Sequence, residues 1–218
     1  MSDRFYMICL RDSVGSNAAF WRVDGNGYST DIDQAEVYTQ EEAQRAWQRG
    51  RDIDQPVCAD SVDRNAVYHV DHQHIPGATV LEEGCTQYVG FQKGRWDGND
   101  LYWLSDGALP TPDFSLATVY SSANTEAKGV IWLPFQLVDG KKRRTFPLHM
   151  LDSRRMVQGA GLRIPAHIQR SRRIAQQHKR NPPSCKTRFN CPCCGRIHWQ
   201  DHPYEFEGCS NWQCAGAR

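Results

Sequence analysis

The stretch Phe5-Tyr-Met-Ile-Cys-Leu10, followed by Asn17-Ala-Ala-Phe-Trp21 and the dipeptide Asp24-Gly25, decides how this chain is read. Displaced by 82 residues without a gap, it meets a second stretch of the same kind. Tyr6 falls on Tyr88, Asn17 on Asn99, Trp21 on Trp103 and Asp24-Gly25 on Asp106-Gly107. The match continues through Asp31 and Asp113, Ala35 and Ala117, and Val37-Tyr38 and Val119-Tyr120. So many identities in one gap-free alignment exceed chance and predict a tandem duplication. A period of this length means two small copies of one unit rather than a solenoid.

Each unit reads as α+β. Residues 5–10 and 20–23 are rich in aromatic and β-branched types, and Asp24-Gly25 supplies a turn after them. Ala35-Glu-Val-Tyr38 reads as a short extended stretch. Thr39 and Glu42 then stand at capping-box spacing, which predicts a helix through about Trp47. Ala66-Val-Tyr-His-Val70 completes the first unit as a strand, and Val130-Ile-Trp-Leu133 with Phe135-Gln-Leu-Val138 takes that part in the second. These readings place the two units at residues 1–80 and 81–140. Trp21, Trp103, Tyr38 and Tyr120 are expected in the core, and Asp24 and Asp106 in turns. The pattern over residues 5–47 resembles a small domain found in many phage and prophage reading frames. That resemblance implies a mobile-element origin and carries no particular activity.

Net charge is +1, but it is segregated along the chain. Residues 1–140 hold 10 Lys and Arg against 21 Asp and Glu, whereas residues 141–188 hold 14 against one, Asp152. The basic segment opens with Lys141, Lys142, Arg143 and Arg144 and continues through Arg154-Arg155. A helix is predicted from about Ile164 to Arg180, with Pro165 in its first turn and Asn181-Pro-Pro183 stopping it. Ile164, Ile168, Ile174 and Ala175 give it only a partial apolar stripe. Arg170, Arg172, Arg173, Lys179 and Arg180 occupy the remaining surface. A helix cationic on most sides must face water, anions or acidic protein. Contact with phosphates, which releases counterions and brings strong salt dependence, is the sharper expectation. Docking on acidic protein and an inert linker are the alternatives.

Nine cysteines are present, and five of them fall in the last 28 residues. Cys191-Pro-Cys193-Cys194-Gly195 forms a C-x2-C knuckle, and Cys209 and Cys214 form a wider second half. Pro and Gly around such a pair let backbone N–H groups turn toward thiolate sulfurs, as one tetrahedral structural Zn2+ requires. Cys191, Cys194, Cys209 and Cys214 are the expected ligands, with Cys193 a spare thiol and His198 or His202 able to replace Cys209 or Cys214. The end of the chain is similar to the zinc ribbons of phage restriction-alleviation proteins, in which a Cys-Pro-x-Cys-Gly knuckle precedes a second one. Of Trp199, Tyr204, Phe206 and Trp212, some must supply what core so short a module has, and such ribbons often present basic and aromatic side chains to DNA or RNA. Cys9, Cys58, Cys85 and Cys185 are scattered, as free thiols in a reducing compartment would be.

For an enzyme, the best candidate is His69-Val-Asp71-His72-Gln-His74, which resembles the Val-Asp-His-x-His core of phage recombination endonucleases. The resemblance implies His72 as general base beside a metal held by Asp71 or His74. The paired cysteines of that family are missing: Cys58 and Cys85 stand alone. Walker-type loops, Gly-x-Ser-x-Gly elbows and His-Glu-x-x-His helices are absent from the sequence. No apolar run spans a bilayer, and the N-terminus lacks a signal pattern, so a protein of the bacterial host cytoplasm without membrane partners is expected. The expected architecture is two tandem α+β repeats, a basic helical arm at 141–188 and a zinc ribbon at 189–218. The expected function is non-enzymatic binding of DNA or RNA, with a protein partner for the acidic repeats. An inhibitor of a host defence or nucleic-acid machine, acting through those repeats, is the alternative.

Overall fold

The N-terminal aromatic run folds as β1 (Phe5–Val14), turns at Gly15-Ser16 and returns as β2 (Asn17–Trp21). β3 (Tyr28–Ser29) pairs with β2. α1 (Gln40–Arg49) follows, closed by the expected box: Thr39 Oγ1 accepts from the Glu42 N–H, and the Glu42 carboxylate accepts from the Thr39 N–H. Ala43 and Trp47, one turn apart, form the buried face of this helix. β4 (Asp54–Cys58) then pairs with β1, giving a sheet ordered β3-β2-β1-β4. It runs straight into α2 (Ala59–Arg64), and β5 (Val67–His69) follows. The computed structural model describes residues 3–106, 109–180 and 186–217. Gly107, Asn181-Pro-Pro183 and Cys185 therefore lie outside the described residues, as do the side chains of Lys179 and Arg180.

The same order of pairings returns in β6 (Tyr88–Asp97), β7 (Asp100–Trp103), β8 (Val130–Pro134), α3 (Phe135–Asp139) and β9 (Arg143–Thr145). Phe5 and Tyr38 exchange backbone hydrogen bonds, and so do Tyr88 and Tyr120. Val14 faces Asn17 across one hairpin, and Asp97 faces Asp100 across the other. These pairs set the strands in correspondence at 83 residues, not 82: Asn17 matches Asp100, and Trp103 matches Phe20 rather than Trp21. The capped turns after them, opened by Asp31 and Asp113, do correspond at 82. Beyond Tyr120 the offset drops to 76, because no helix stands where α1 does in the first half. Residues 130–133 therefore match β4, residues 135–138 are helical and match α2, and β9 is the true counterpart of β5.

The two halves exchange their ends. β5 pairs antiparallel with β9, Tyr68 opposite Arg144, so corresponding residues face each other. Past β9, the Phe146 carbonyl accepts from the Ala18 N–H and the Leu148 N–H donates to Ser16 O, both in the first half. Past β5, the Val70 carbonyl accepts from the Leu101 N–H and the His72 N–H donates to Asn99 O, both in the second. Val70 accordingly sits in the core formed by Val89, Phe91, Leu101, Trp103 and Leu133. Its counterpart Phe146 is buried beside Phe20, ring centroids 6.4 Å apart. The two hairpin turns also abut. Gly15 and Gly98 have φ of +60° and +63°, and a Cβ on Gly98 would lie 2.5 Å from the Gly15 nitrogen, so neither turn has room for a side chain.

Residues 141–163 continue this body. Met156, Val157 and Leu162 are buried, the Gln55 amide donates to Ser153 Oγ, and Gln44 on α1 hydrogen-bonds both backbone groups of Arg163. The chain accordingly divides into two compact units at Pro165 and Ala166, inside the segment expected to form one arm. The second unit holds α4 (Ala166–Arg180) and a hairpin of β10 (Thr187–Asn190) and β11 (Ile197–Gln200). The whole is a mixed α+β structure of small antiparallel sheets.

Candidate metal centre

The hairpin of β10 and β11 ends in a tight turn that carries the first cysteine pair. Gly195, at φ +72°, donates its N–H to the Cys191 carbonyl, and the Cys191 N–H donates to Arg196 O. A second turn closes where the Cys209 N–H donates to Gly216 O and the Cys214 N–H to Asn211 O. The four sulfurs of Cys191, Cys194, Cys209 and Cys214 lie within 4.8 Å of one another. Cys191 and Cys214 are separated by 3.6 Å, as are Cys194 and Cys209. A tetrahedral zinc with Zn–S of about 2.3 Å spaces its sulfurs about 3.8 Å apart, so the cage fits that ion.

Backbone N–H groups converge on the sulfurs as a thiolate site requires. Asn211 N–H reaches Cys209 Sγ at 3.4 Å and Gly216 N–H reaches Cys214 Sγ at 3.4 Å. On the other side, the N–H groups of Cys194 and Cys193 pull the Cys191 thiol down to about 6. The Gly216 N–H pulls Cys214 the same way, but burial and the sulfurs of Cys191, Cys194 and Cys209 outweigh it and push this thiol up to about 12. Four thiolates cannot share so small a volume without a cation, and a divalent ion is what would let all four ionise. Gly216 passes close to the cage, since a Cβ there would lie 3.5 Å from Cys191 Sγ.

Of the alternative ligands, His198 approaches: its Nε2 is 3.4 Å from Cys209 Sγ, where it can donate to the thiolate. His202 is turned away, accepting the N–H groups of Tyr204 and Glu205 on its Nδ1. Cys193 is exposed and unpaired. Among the described residues this is the one group of His, Cys, Asp and Glu with metal-holding geometry. Asp71, His72 and His74 are not gathered into a ligand set. Asp71 caps a turn and accepts from Gln73 N–H and the Asn99 amide, His72 Nδ1 donates to Asn99 O, and His74 is exposed.

The cations expected to contact nucleic acid separate into two groups. Lys142 pairs with Asp139, Arg143 with Asp100 at 2.6 Å, and Arg144 with Asp33 and Asp63 at 2.8 and 2.6 Å. Lys141, Lys142, Arg143 and Arg144 thus belong to the body, and of these four Lys141 alone has no such pairing and lies exposed. Arg170, Arg172 and Arg173 are exposed on α4, and Lys179 and Arg180 extend the same helix. Sequence reasoning missed the buried centre between the halves. Asp100 accepts from Arg143, the Asn17 amide and His69, and Thr145 Oγ1 lies 3.1 Å from His69 Nδ1. His69 stood within the motif that drew attention to His72, and Arg143 within a run that reads as a charge cluster.

Comparison with protein-family models, with curated proteins and with solved structures returns no match. No helix among the described residues is long and apolar enough to cross a membrane.

Proposed function

We propose that this chain is a non-enzymatic nucleic-acid-binding protein of a phage, prophage or plasmid, in which a zinc ribbon and a basic helix form the binding unit. The carrying observation is that exposed Arg170, Arg172 and Arg173 stand on a helix in the same compact unit as the four-cysteine cage. Residues 166–218 hold nine Lys and Arg against three Asp and Glu, while residues 1–165 hold 17 against 22. The segregation of charge thus follows the division of the structure. With four thiolate ligands a zinc ion keeps no open position for water, so its role is to hold the hairpin rather than to catalyse. The recurrent pairings in the body support a duplicated α+β unit with exchanged ends, and its acidic surface suits a protein partner. The alternative, an inhibitor that mimics nucleic-acid charge with that body, is weakened because Asp33, Asp63, Asp100 and Asp139 already face the body's own cations.

The test is binding of labelled DNA and RNA by the zinc-loaded protein across a salt series, with metal content measured on the same preparation. One zinc per chain and affinity falling steeply with salt are expected. Charge reversal at Arg170, Arg172 and Arg173 should flatten the slope by about three, one counterion contact each. Absence of binding at low salt would sink the proposal.

A further inference from the structure

The hairpin sorts its aromatic residues by face. In an antiparallel pair, residues directly opposite point to one side, and sides alternate along each strand. Phe189 opposite His198 therefore shares a face with Thr187 opposite Gln200, and this face is the inner one. Phe206 closes it, 6.3 Å from the Phe189 ring and 5.5 Å from that of His198, while buried Gln200 bonds the backbone of His202, Glu205 and Glu207. The opposite face presents Arg188 across from Trp199 and Asn190 across from Ile197, all exposed. Trp199 is 58% exposed, Tyr204 86% and Trp212 82%. Both phenylalanines thus go inside, and the aromatic residues that carry a polar edge stay in water. A module with so little apolar material to bury would be expected to use its tryptophans as core.

We infer that these exposed rings are stacking platforms for the unpaired bases of a single-stranded nucleic acid. The inference rests on the nucleic-acid reading above and names the form of nucleic acid. Every base has a π-face, so aromatic plates hold a strand with little regard to its sequence. In a duplex those faces are covered by neighbouring base pairs, and only edges and phosphates remain. A protein partner or a second copy of the chain could also cover exposed rings. Charge favours the strand, because Arg188 lies beside Trp199 on the same face and the unit carrying it has three times as many cations as carboxylates.

A pocket of about 240 Å³ adjoins Trp199 and is lined in part by Lys186, Asp201 and Glu207. Its carboxylates would repel a phosphate but accept hydrogen bonds from base amino and imino groups. The Lys186 ammonium lies 3.9 Å from the Asp201 carboxylate. The arrangement therefore admits a base and leaves the backbone phosphates to Arg188 and to the arginines of α4.

Titration of the zinc-loaded full chain with an oligothymidylate, an oligouridylate and a blunt duplex, read by intrinsic tryptophan fluorescence and by affinity, tests this. Both single strands should quench the fluorescence and bind more tightly than the duplex. The double variant Trp199→Ala/Trp212→Ala should lose the quenching and about 10- to 100-fold in affinity per stacked base, with its salt slope unchanged. Trp199→Phe should retain most of the affinity. If the alanine variant loses its zinc, Trp199→Leu and Trp212→Leu, which keep apolar bulk without a π-face, take its place. Equal binding of duplex and single strand without quenching overturns the stacking surface while the phosphate-contacting helix stands. Failure to bind any of the three overturns both readings.

Discussion

Removing a carboxylate from water is costly unless other groups replace its hydration, and Asp100 sits at zero exposure with three of them. Burial by itself would raise its pKa. The hydrogen bond from His69 and the positive charge of Arg143 outweigh it and hold the group below its ordinary 3.8. A carboxylate depressed in the folded state adds stability that is fully present above its unfolded pKa and is lost as pH falls through the folded one. Stability should accordingly be level around neutrality and decline below about pH 4, where the unfolded chain begins to bind the proton. Asp100→Asn should cost about 3 kcal/mol at pH 7, since Arg143 is left buried without its counter-charge, and should reduce the acid-dependent decline. Urea unfolding of both proteins at pH 7 and pH 3.5 decides the point. Coincident midpoints at pH 7 would mean that the pair is not what secures the seam. The corresponding residue in the other half is Asn17, so the two halves meet through one charged and one neutral version of the same position, joined by the hydrogen bond between them.

Elements differ in how far apart the residues that make them lie, and that distance governs what a sequence discloses. Phe146 belongs to a segment in the second half yet packs on Phe20 in the first. Phe146→Ala should therefore destabilise the body by about 4 kcal/mol, as loss of a buried ring does, and thermal unfolding would register it as a fall in Tm. A residue in a solvated arm would give almost no change. The capping box of α1 was legible because its partners, Thr39 and Glu42, are three residues apart and their chemistry is local. The cysteine cage was legible for a similar reason, since each knuckle is set by short spacing and by Gly195 or Gly216. β9 was not. Arg143-Arg-Thr145 is three residues long, and its strand character comes from β5, some seventy residues earlier, and from carboxylates scattered through the body. The strand correspondence slipped by one residue because the identities of Trp21 with Trp103 and Asn17 with Asn99 drew the alignment. Hydrogen bonding, which matches Phe20 and Asp100 instead, is blind to residue type. Exposure of Trp199 and Trp212 was also illegible, because aromatic residues in a short module read equally as core and as surface.

At the scale of the molecule, exchanged ends tie the first 165 residues into one compact body, which should unfold cooperatively rather than as two beads on a string. Each half lends the other a segment: Val70 fills the second core and Phe146 the first. A chain cut after residue 140, the boundary suggested by charge alone, would lose β9, Phe146 and the buried Met156 and Val157. It would leave Asp100 and His69 without Arg143 and Thr145, and the first sheet without the backbone partners of Ser16 and Ala18. Several buried groups would lose their partners at once, at about 1–3 kcal/mol each, a loss comparable with the typical stability of a whole domain, about 5–15 kcal/mol. A chain ending at Pro165 keeps every one of these contacts. The expected outcome is a sharp unfolding transition for residues 1–165, close in midpoint to that of the body in the full chain, and no cooperative transition for residues 1–140. Circular dichroism melts of the two truncated proteins make the comparison. If residues 1–140 melted as sharply as the longer piece, the halves would be independent domains and β9 an ornament on them. If only the longer piece does, the basic run at 141–144 is part of what folds the body, and the search for nucleic-acid contacts narrows to the residues beyond Pro165.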